Sequence, residues 1–198
     1  MSLIKNFNFS EKEVSAIAID EVSRNFLWIA FKQNTLGNCV IKKVSAFDLY
    51  QTYFNVNLAV TEIVKLGPTS PYIFAAVQNN TNYAYRYSLS NPLASPTAMA
   101  RPSGVNENPV DFVIGTSNIF FLFPGSISGE VAKIVKTSLS GTFVETIDLE
   151  QSGDQVLNAK SITIDTNDNL WVVTYTDPSE LVRVYDPGSG YILQITEI

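Results

Sequence analysis

Four short apolar segments recur along the chain at nearly constant spacing. They are centred near Trp28, Phe74, Phe121 and Trp171, and so lie 46, 47 and 50 residues apart. Each segment follows another apolar run and precedes a run in which apolar and polar residues alternate. A fourth, weaker apolar run closes three of the four units. A period of this length predicts a repeated supersecondary unit of about four short elements.

The composition of these segments favours β-strands. They are rich in Val, Ile, Phe, Tyr and Thr and are bounded by Asn, Asp, Gly, Ser and Pro, as is typical of strands and their turns. No stretch sustains helical i, i+3, i+4 spacing over about 11 residues. The second unit is the weakest, because residues 94–104 contain two prolines and a glycine, which strands tolerate poorly. The pattern therefore predicts an all-β protein.

The continuous apolar runs, such as residues 119–123, predict strands whose two faces are both covered. Four such units, each with apolar inner strands and mixed outer strands, fit the blades of a β-propeller. We predict a single domain over residues 1–198, a β-propeller-like array of about four four-stranded antiparallel blades. The approximate blades are 14–60, 61–104, 108–150 and 158–198. A β-sandwich of the same strands is the alternative.

Four blades can be arranged in more than one way. Our expectation is a ring that closes within one chain. An open half-propeller that pairs with another copy is the alternative, because an uncovered apolar blade face is unstable in water and invites association. The chain can also be a fragment of a longer propeller, with its function in other blades.

The last unit carries a family resemblance. Its sequence, SITIDTNDNLWVVTYTDPSELVRVYDPGSGYILQITEI, resembles a single blade of NHL, gluconolactonase-like or YVTN-type propellers. Repeats of those families have an apolar strand ending in Asp, a Gly/Asn turn, an apolar LWV strand and an RVYDP segment before the outer strand. The first unit, SAIAIDEVSRNFLWIAF, resembles the opening of the same repeat. This resemblance implies an architecture and leaves the activity open.

Charge and composition argue against several classes of function. The net charge is −6, and 13 basic residues are scattered among 19 acidic ones, whereas nucleic-acid binding requires clustered Lys and Arg. The densest basic spot, Lys42-Lys43, is expected to be a solvated part of a strand. Histidine is absent and Cys39 is the only cysteine. These counts exclude Ser-His-Asp and Cys-His nucleophiles and zinc sites built from His and Cys.

The sequence also lacks the signals of membrane insertion and export. No apolar run approaches the ~18 residues of a membrane span, and the N-terminal residues contain no apolar core of about seven residues typical of a signal peptide. We therefore expect a soluble chain with no membrane partner. Its compartment is unknown from the sequence.

Residues 165–169, Asp-Thr-Asn-Asp-Asn, match the first part of an EF-hand calcium loop. Leu170, however, occupies the position of the required glycine, and Thr176 that of the twelfth-position glutamate. The same residues suit a turn between two strands, because Asn and Asp tolerate left-handed backbone. A turn is the favoured interpretation, and a weak Ca²⁺ site at Asp165 and Asp168 is the alternative.

Two further aspartates are candidates for a metal or acid–base site. Asp20 and Asp111, like Asp165, end or begin predicted inner strands, near the channel mouth where propellers bind ligands. In the gluconolactonase-like family, Glu, Asn and Asp from separate blades hold the metal. Those ligands are not matched individually in this chain, so the resemblance does not carry that activity over.

Tyr83, Tyr85 and Tyr87 are the candidates for ligand binding. They lie two residues apart, which places all three on one face of a regular strand. An exposed ladder of this kind could stack on sugar rings or aromatic ligands. A buried ladder would be ordinary core packing, and this is the favoured interpretation.

The sequence thus predicts a non-enzymatic binding or structural module. It would be a small β-propeller that presents loop faces to a protein or glycan partner and belongs to a larger assembly, for example of a virion or a cell surface. No cofactor is expected, and oligomerisation is possible. The alternative is a metal-dependent hydrolase or lactonase of the gluconolactonase-like kind, which would use Ca²⁺ bound by a central cluster of aspartates.

Overall fold

The computed structural model describes residues 13–20, 24–32, 37–47, 52–78, 81–91, 94–127, 130–151, 154–176, 179–186 and 192–196. These residues form four antiparallel four-stranded sheets and one two-stranded sheet. They contain no helix that is long and apolar enough to cross a membrane. The regular structure of the described chain is therefore all β.

Each four-stranded sheet is a meander in which consecutive strands pair with each other. The strands of the first sheet are β1 (Val14–Ile19), β2 (Phe26–Phe31), β3 (Cys39–Ser45) and β4 (Thr52–Leu58). Those of the second sheet are β5 (Glu62–Thr69), β6 (Tyr72–Gln78), β7 (Asn82–Ser88) and β8 (Thr97–Ala100). Residues 94–104, whose two prolines and glycine predicted a poor strand, accordingly contain only the short strand β8.

The third sheet is formed by β9 (Asp111–Ile114), β10 (Asn118–Phe123), β11 (Lys133–Ser138) and β12 (Phe143–Asp148). The ribbon of β13 (Glu150–Gln151) and β14 (Asp154–Gln155) follows it. The fourth sheet is formed by β15 (Ala159–Ile164), β16 (Leu170–Thr176), β17 (Ser179–Asp186) and β18 (Ile192–Thr196). Each four-stranded sheet lies within the range predicted for one blade, and we number the blades 1 to 4 accordingly. The ribbon was not predicted.

The blades stack through three apolar clusters, one between each pair of successive blades. Between blades 1 and 2, for example, Trp28 and Ile41 pack with Ile63 and Leu66. The inner strands of successive blades come closest to each other, since β1 packs on β5, β5 on β9, and β9 on β15. A central strand such as β10, whose residues 119–123 are all buried, contributes side chains to the clusters on both of its faces.

Two glycines allow the inner strands to approach each other closely. A Cβ atom on Gly67 of β5 would lie 2.4 Å from the ring of Phe112 in β9. A Cβ atom on Gly115, just after β9, would lie 2.8 Å from Cδ1 of Ile164 in β15. A large side chain of one blade thus occupies the space over a glycine of the preceding blade. This repeated contact was not predicted from the sequence.

The described strands do not close a four-bladed ring. In such a ring the first and last inner strands, β1 and β15, would pack against each other as their neighbours do, but these two strands do not. Ile17 and Ile19 of β1 are 61% and 59% exposed, as expected for a strand with no blade on that side. The prediction of closure within one chain is therefore wrong for the described residues, which form an open arc of four blades.

Candidate functional site

The stretch that resembles a calcium loop forms the turn between β15 and β16, as favoured by the sequence. The backbone amide of Asp168 donates to the carbonyl of Asp165, and Asp168 adopts a positive φ of 63°. The Asp165 carboxylate accepts hydrogen bonds from the amides of Asn167 and Asn169 at 2.8 and 3.0 Å. It also accepts from Asn169 Nδ2 at 2.9 Å and from Trp171 Nε1 at 3.2 Å.

These donors explain the electrostatics of Asp165. The side-chain hydrogen bond from Asn169 is the largest factor that lowers the pKa of this carboxyl group, and the bonds from Trp171 and the turn amides act in the same direction. Hydrogen bonds to a carboxylate favour its charged form. The same hydrogen bonds hold the turn around the Asp165 carboxylate. Asp168 makes a long contact of 3.4 Å with Thr116 Oγ1, which links the turns of blades 3 and 4.

Asp20 has the equivalent position in blade 1, directly after the inner strand. Its carboxylate accepts a hydrogen bond from Trp28 Nε1 at 3.1 Å and forms an ion pair with Lys43 Nζ at 2.7 Å. The Asp20 side chain is only 4% exposed and that of Lys43 22%. The ammonium of Lys43 also lies over the rings of Phe26 and Trp28. The expectation that Lys42-Lys43 is simply solvated is thus wrong for Lys43, which is held by an acid and two aromatic rings.

Asp111 ties three blades together from the start of β9. Its carboxylate receives Lys65 Nζ of blade 2 at 2.5 Å. From blade 4 it receives Ser161 Oγ at 2.6 Å and the backbone amide of Ile162 at 3.0 Å. Its remaining contact is with the amide of the adjacent Phe112 at 2.8 Å. Both oxygens are thereby engaged by donors of the protein.

The four candidate aspartates do not converge. Asp111 bonds to Ile162 in β15, whereas Asp165 lies three residues further along the chain, just after that strand, which corresponds to about 10 Å at ~3.3 Å per residue. Asp20 is on blade 1, whose inner strand does not pack on that of blade 4. Within the described ranges, no three His, Cys, Asp or Glu side chains lie close enough to hold a metal ion.

Glu107 is a buried acid that the sequence did not single out. Its carboxylate accepts hydrogen bonds from the amides of Gly125, Ser126 and Ile127 at 2.6, 2.7 and 2.9 Å, and from the Ser126 hydroxyl. Successive amides that point inward form a nest for an anion, and here the protein supplies that anion itself. Gly125 has a φ of +65°, which glycine adopts without strain. No local sequence signal connects Glu107 to a loop 18 to 20 residues away.

The three tyrosines do not share one face, contrary to the prediction. Tyr85 and Tyr87 pack toward blade 1, whereas Tyr83 packs toward blade 3, with its ring edge-on to Phe121 at 5.0 Å. The pairing of β7 with β8 shifts register between Asn82 and Ala84, and this irregularity interrupts the alternation of faces. Tyr83 and Tyr87 are 2% exposed, and burial raises the pKa of both hydroxyls. The packing interpretation therefore describes these two residues.

Comparison with solved structures places this arc among known folds. The chain is similar to a streptogramin B lyase, with a TM-score of 0.65 and 16% identity over 98% of this chain and 57% of that one. It is also similar to the Dos1 propeller, with a TM-score of 0.63 and 13% identity over 93% of this chain and 44% of the other. The chain has a β-propeller fold. BamB from Moraxella catarrhalis is a further propeller match, with a TM-score of 0.59, 12% identity, and coverage of 93% and 53%.

This β-propeller chain spans about half the length of those solved structures. No protein-family model and no curated protein matches its sequence. At identities of 12 to 16%, the likeness establishes the fold and carries no activity. The resemblance of the last blade to the NHL, gluconolactonase-like and YVTN repeats accordingly remains a prediction about the type of propeller.

Proposed function

We propose that the chain is a non-enzymatic binding or structural module, a set of propeller blades that presents its loop faces to a protein or glycan partner within a larger assembly, such as one on a virion or cell surface. The observation that supports this proposal most strongly is the state of the acidic side chains. Asp20, Asp111, Asp165 and Glu107 each hold two or more donors of the protein itself.

Such carboxylates are poor candidates for catalysis. A general acid or base works best with a pKa near the working pH, whereas the hydrogen bonds around Asp165 lower its pKa from an already acidic value. A Ca²⁺ ion requires six to eight oxygen ligands, and the Lys65 ammonium already neutralises Asp111. These acids instead join turns and blades into a rigid support, which is what a set of loops needs in order to recognise a partner.

The enzymatic alternative can be tested directly. Purified full chain is incubated with a panel of lactones in excess Ca²⁺ and in EDTA, alongside an Asp165→Asn variant. We expect no turnover above the buffer blank and the same melting temperature with Ca²⁺ and EDTA, because a bound ion would stabilise the folded state. Ca²⁺-dependent hydrolysis that the variant loses would overturn the proposal.

The binding role has its own measurement. The labelled chain is applied to a glycan array, with heat-denatured chain as the control. A set of related glycans that retains only the folded chain would define the ligand class. If no glycan is retained, the glycan part of the proposal is refuted and the protein-partner part is then tested by cross-linking in the source assembly.

A further inference from the structure

The two ends of the arc expose opposite faces of a blade. In β1, Ala16 and Ala18 pack toward blade 2, whereas Ile17 and Ile19 point to the other side and are largely exposed. Further out on that same side, Ile29, Phe31, Val40 and Val44 are buried. The exposed apolar surface is therefore confined to the inner strand, which is the strand that comes closest to the neighbouring blade at each interface within the arc.

Blade 4 exposes the complementary face. Thr163 pairs with Trp171 in blade 4 as Ala18 pairs with Trp28 in blade 1. Thr163 and Ala18 each lie two residues before the aspartate that follows the inner strand. In blade 1 this face is covered by blade 2, and Trp28 is 1% exposed. In blade 4 Thr163 is exposed and Trp171 is only half-buried. The face that carries Trp171 thus has the register of a blade contact, and no other blade of the described residues covers it.

Each interface within the arc joins two such faces. Ile164 packs on blade 3, where its Cδ1 occupies the space over Gly115. Ile19 is the equivalent residue of blade 1, since both precede the aspartate and both pair with a leucine of the next strand. Ile19 therefore has the side chain and position needed to pack on the exposed face of blade 4. Because β1 and β15 of one chain do not pack on each other as neighbouring inner strands do, the described blade 4 of the same chain does not make this contact, whereas blade 4 of a second copy can.

We infer that two copies of this chain close one ring, with the Ile17 and Ile19 face of each copy packed on the Thr163 and Trp171 face of the other. A twofold axis generates both contacts at once and leaves no open face. The length of the arc fits a second copy. The matched propeller structures are about twice as long as the aligned part, so a second arc of the same length would complete a ring of that size. This assembly is separate from the proposed loop-face function.

The mass of the full chain in solution tests this assembly. We expect light scattering after gel filtration to give twice the 21.8 kDa of one chain over a range of concentrations. Ile19→Asp is expected to give a single-chain mass at concentrations where the parent is dimeric, because it places a charge in the contact. Thr163→Lys changes the opposite face and is expected to weaken the dimer at least tenfold. The control is Phe47→Asp, which changes an 80% exposed residue on neither face and should leave the dimer intact.

Tryptophan fluorescence supplies a readout that does not depend on mass. Trp28 and Trp171 are the two tryptophans of the chain, and only Trp171 lies at the proposed contact. Dilution should therefore shift the parent emission to the red, and Ile19→Asp should show the shifted spectrum at every concentration while retaining the β-sheet circular dichroism of the parent. A chain that is monomeric throughout, a dimer that Ile19→Asp leaves unchanged, or open-ended oligomers would each overturn the inference.

Discussion

Replacement of Asp111 by alanine tests whether one buried carboxylate holds three blades together. The substitution removes the acceptor for Lys65 of blade 2 and for Ser161 and Ile162 of blade 4. Ile162 is 3% exposed, so its backbone amide would remain buried and without this acceptor. Ser161 is exposed, and its hydroxyl can turn to water.

The expected cost follows from these environments. A buried donor that loses its acceptor costs about 1–3 kcal/mol, and a hydrogen bond to a charged group contributes about 1.5–3 kcal/mol. The Lys65 side chain is 40% exposed, so its ion pair adds no more than about 1 kcal/mol. We therefore expect Asp111→Ala to lower the free energy of unfolding by about 3 kcal/mol. Asp111→Asn, which retains one acceptor oxygen, should lose about half as much.

Urea unfolding followed by circular dichroism measures this difference. With a slope of about 2–3 kcal/mol per molar urea, the midpoint of Asp111→Ala should fall by about 1 M. The matched control is Asp148→Ala, because Asp148 pairs with Lys133 at the surface and is 60% exposed. The free energy of unfolding of that variant should differ from the parent's by less than about 0.5 kcal/mol. Equal midpoints for the two alanine variants would refute the role assigned to Asp111.

Three further changes have defined outcomes. Gly125→Ala should lower the melting temperature more than Gly104→Ala. Both glycines have positive φ, but a Cβ on Gly125 would lie 2.3 Å from a backbone nitrogen, whereas a Cβ on Gly104 would meet nothing within 4 Å. Equal decreases in melting temperature would contradict the clash at Gly125. Gly67→Ala should lower the free energy of unfolding, measured in urea, by about 1–3 kcal/mol, because the ring of Phe112 must move. An unchanged urea midpoint would show that the contact between Phe112 and Gly67 is not tight. Folding lowers the pKa of Asp165, so its charge stabilises the fold above the unfolded pKa near 3.8, and this effect is lost as the pH falls through the lower folded pKa. The difference in free energy of unfolding between the parent and Asp165→Asn should therefore be constant from pH 7 to pH 5 and shrink below about pH 4. A difference that does not depend on pH would contradict this account.

Local sequence patterns predicted the strands because local physics sets them. Strand length, β-branched and aromatic composition and turn residues place β2, β6, β10 and β16 where the four apolar segments lie. The Asn-Asp-Asn turn is predictable for the same reason, since Asp168 needs left-handed backbone and Asp165 bonds to residues no more than six positions away.

The candidate site depended on contacts between residues that are distant in the chain. Asp111 is fixed by residues 46 to 51 positions away, and Glu107 by a loop 18 to 20 residues later. A register shift in β7 and β8 separates Tyr83 from Tyr85 and Tyr87, although their spacing in a regular strand would align them. Neither the composition nor the periodicity of the sequence predicts these long-range contacts or this register shift.

The sequence by itself determined the all-β character, the four-unit repeat and the position of each strand, because these follow from side-chain shape and backbone preference over a few residues. Only the tertiary structure decided the role of each acid and the openness of the arc. Both depend on how one blade meets the next, and that is set by a small number of long-range contacts, such as Phe112 over Gly67. Ile19 and Ile164 have equivalent positions in the repeat, yet Ile19 is exposed and Ile164 is packed, since the described residues place a preceding blade over Ile164 and none over Ile19.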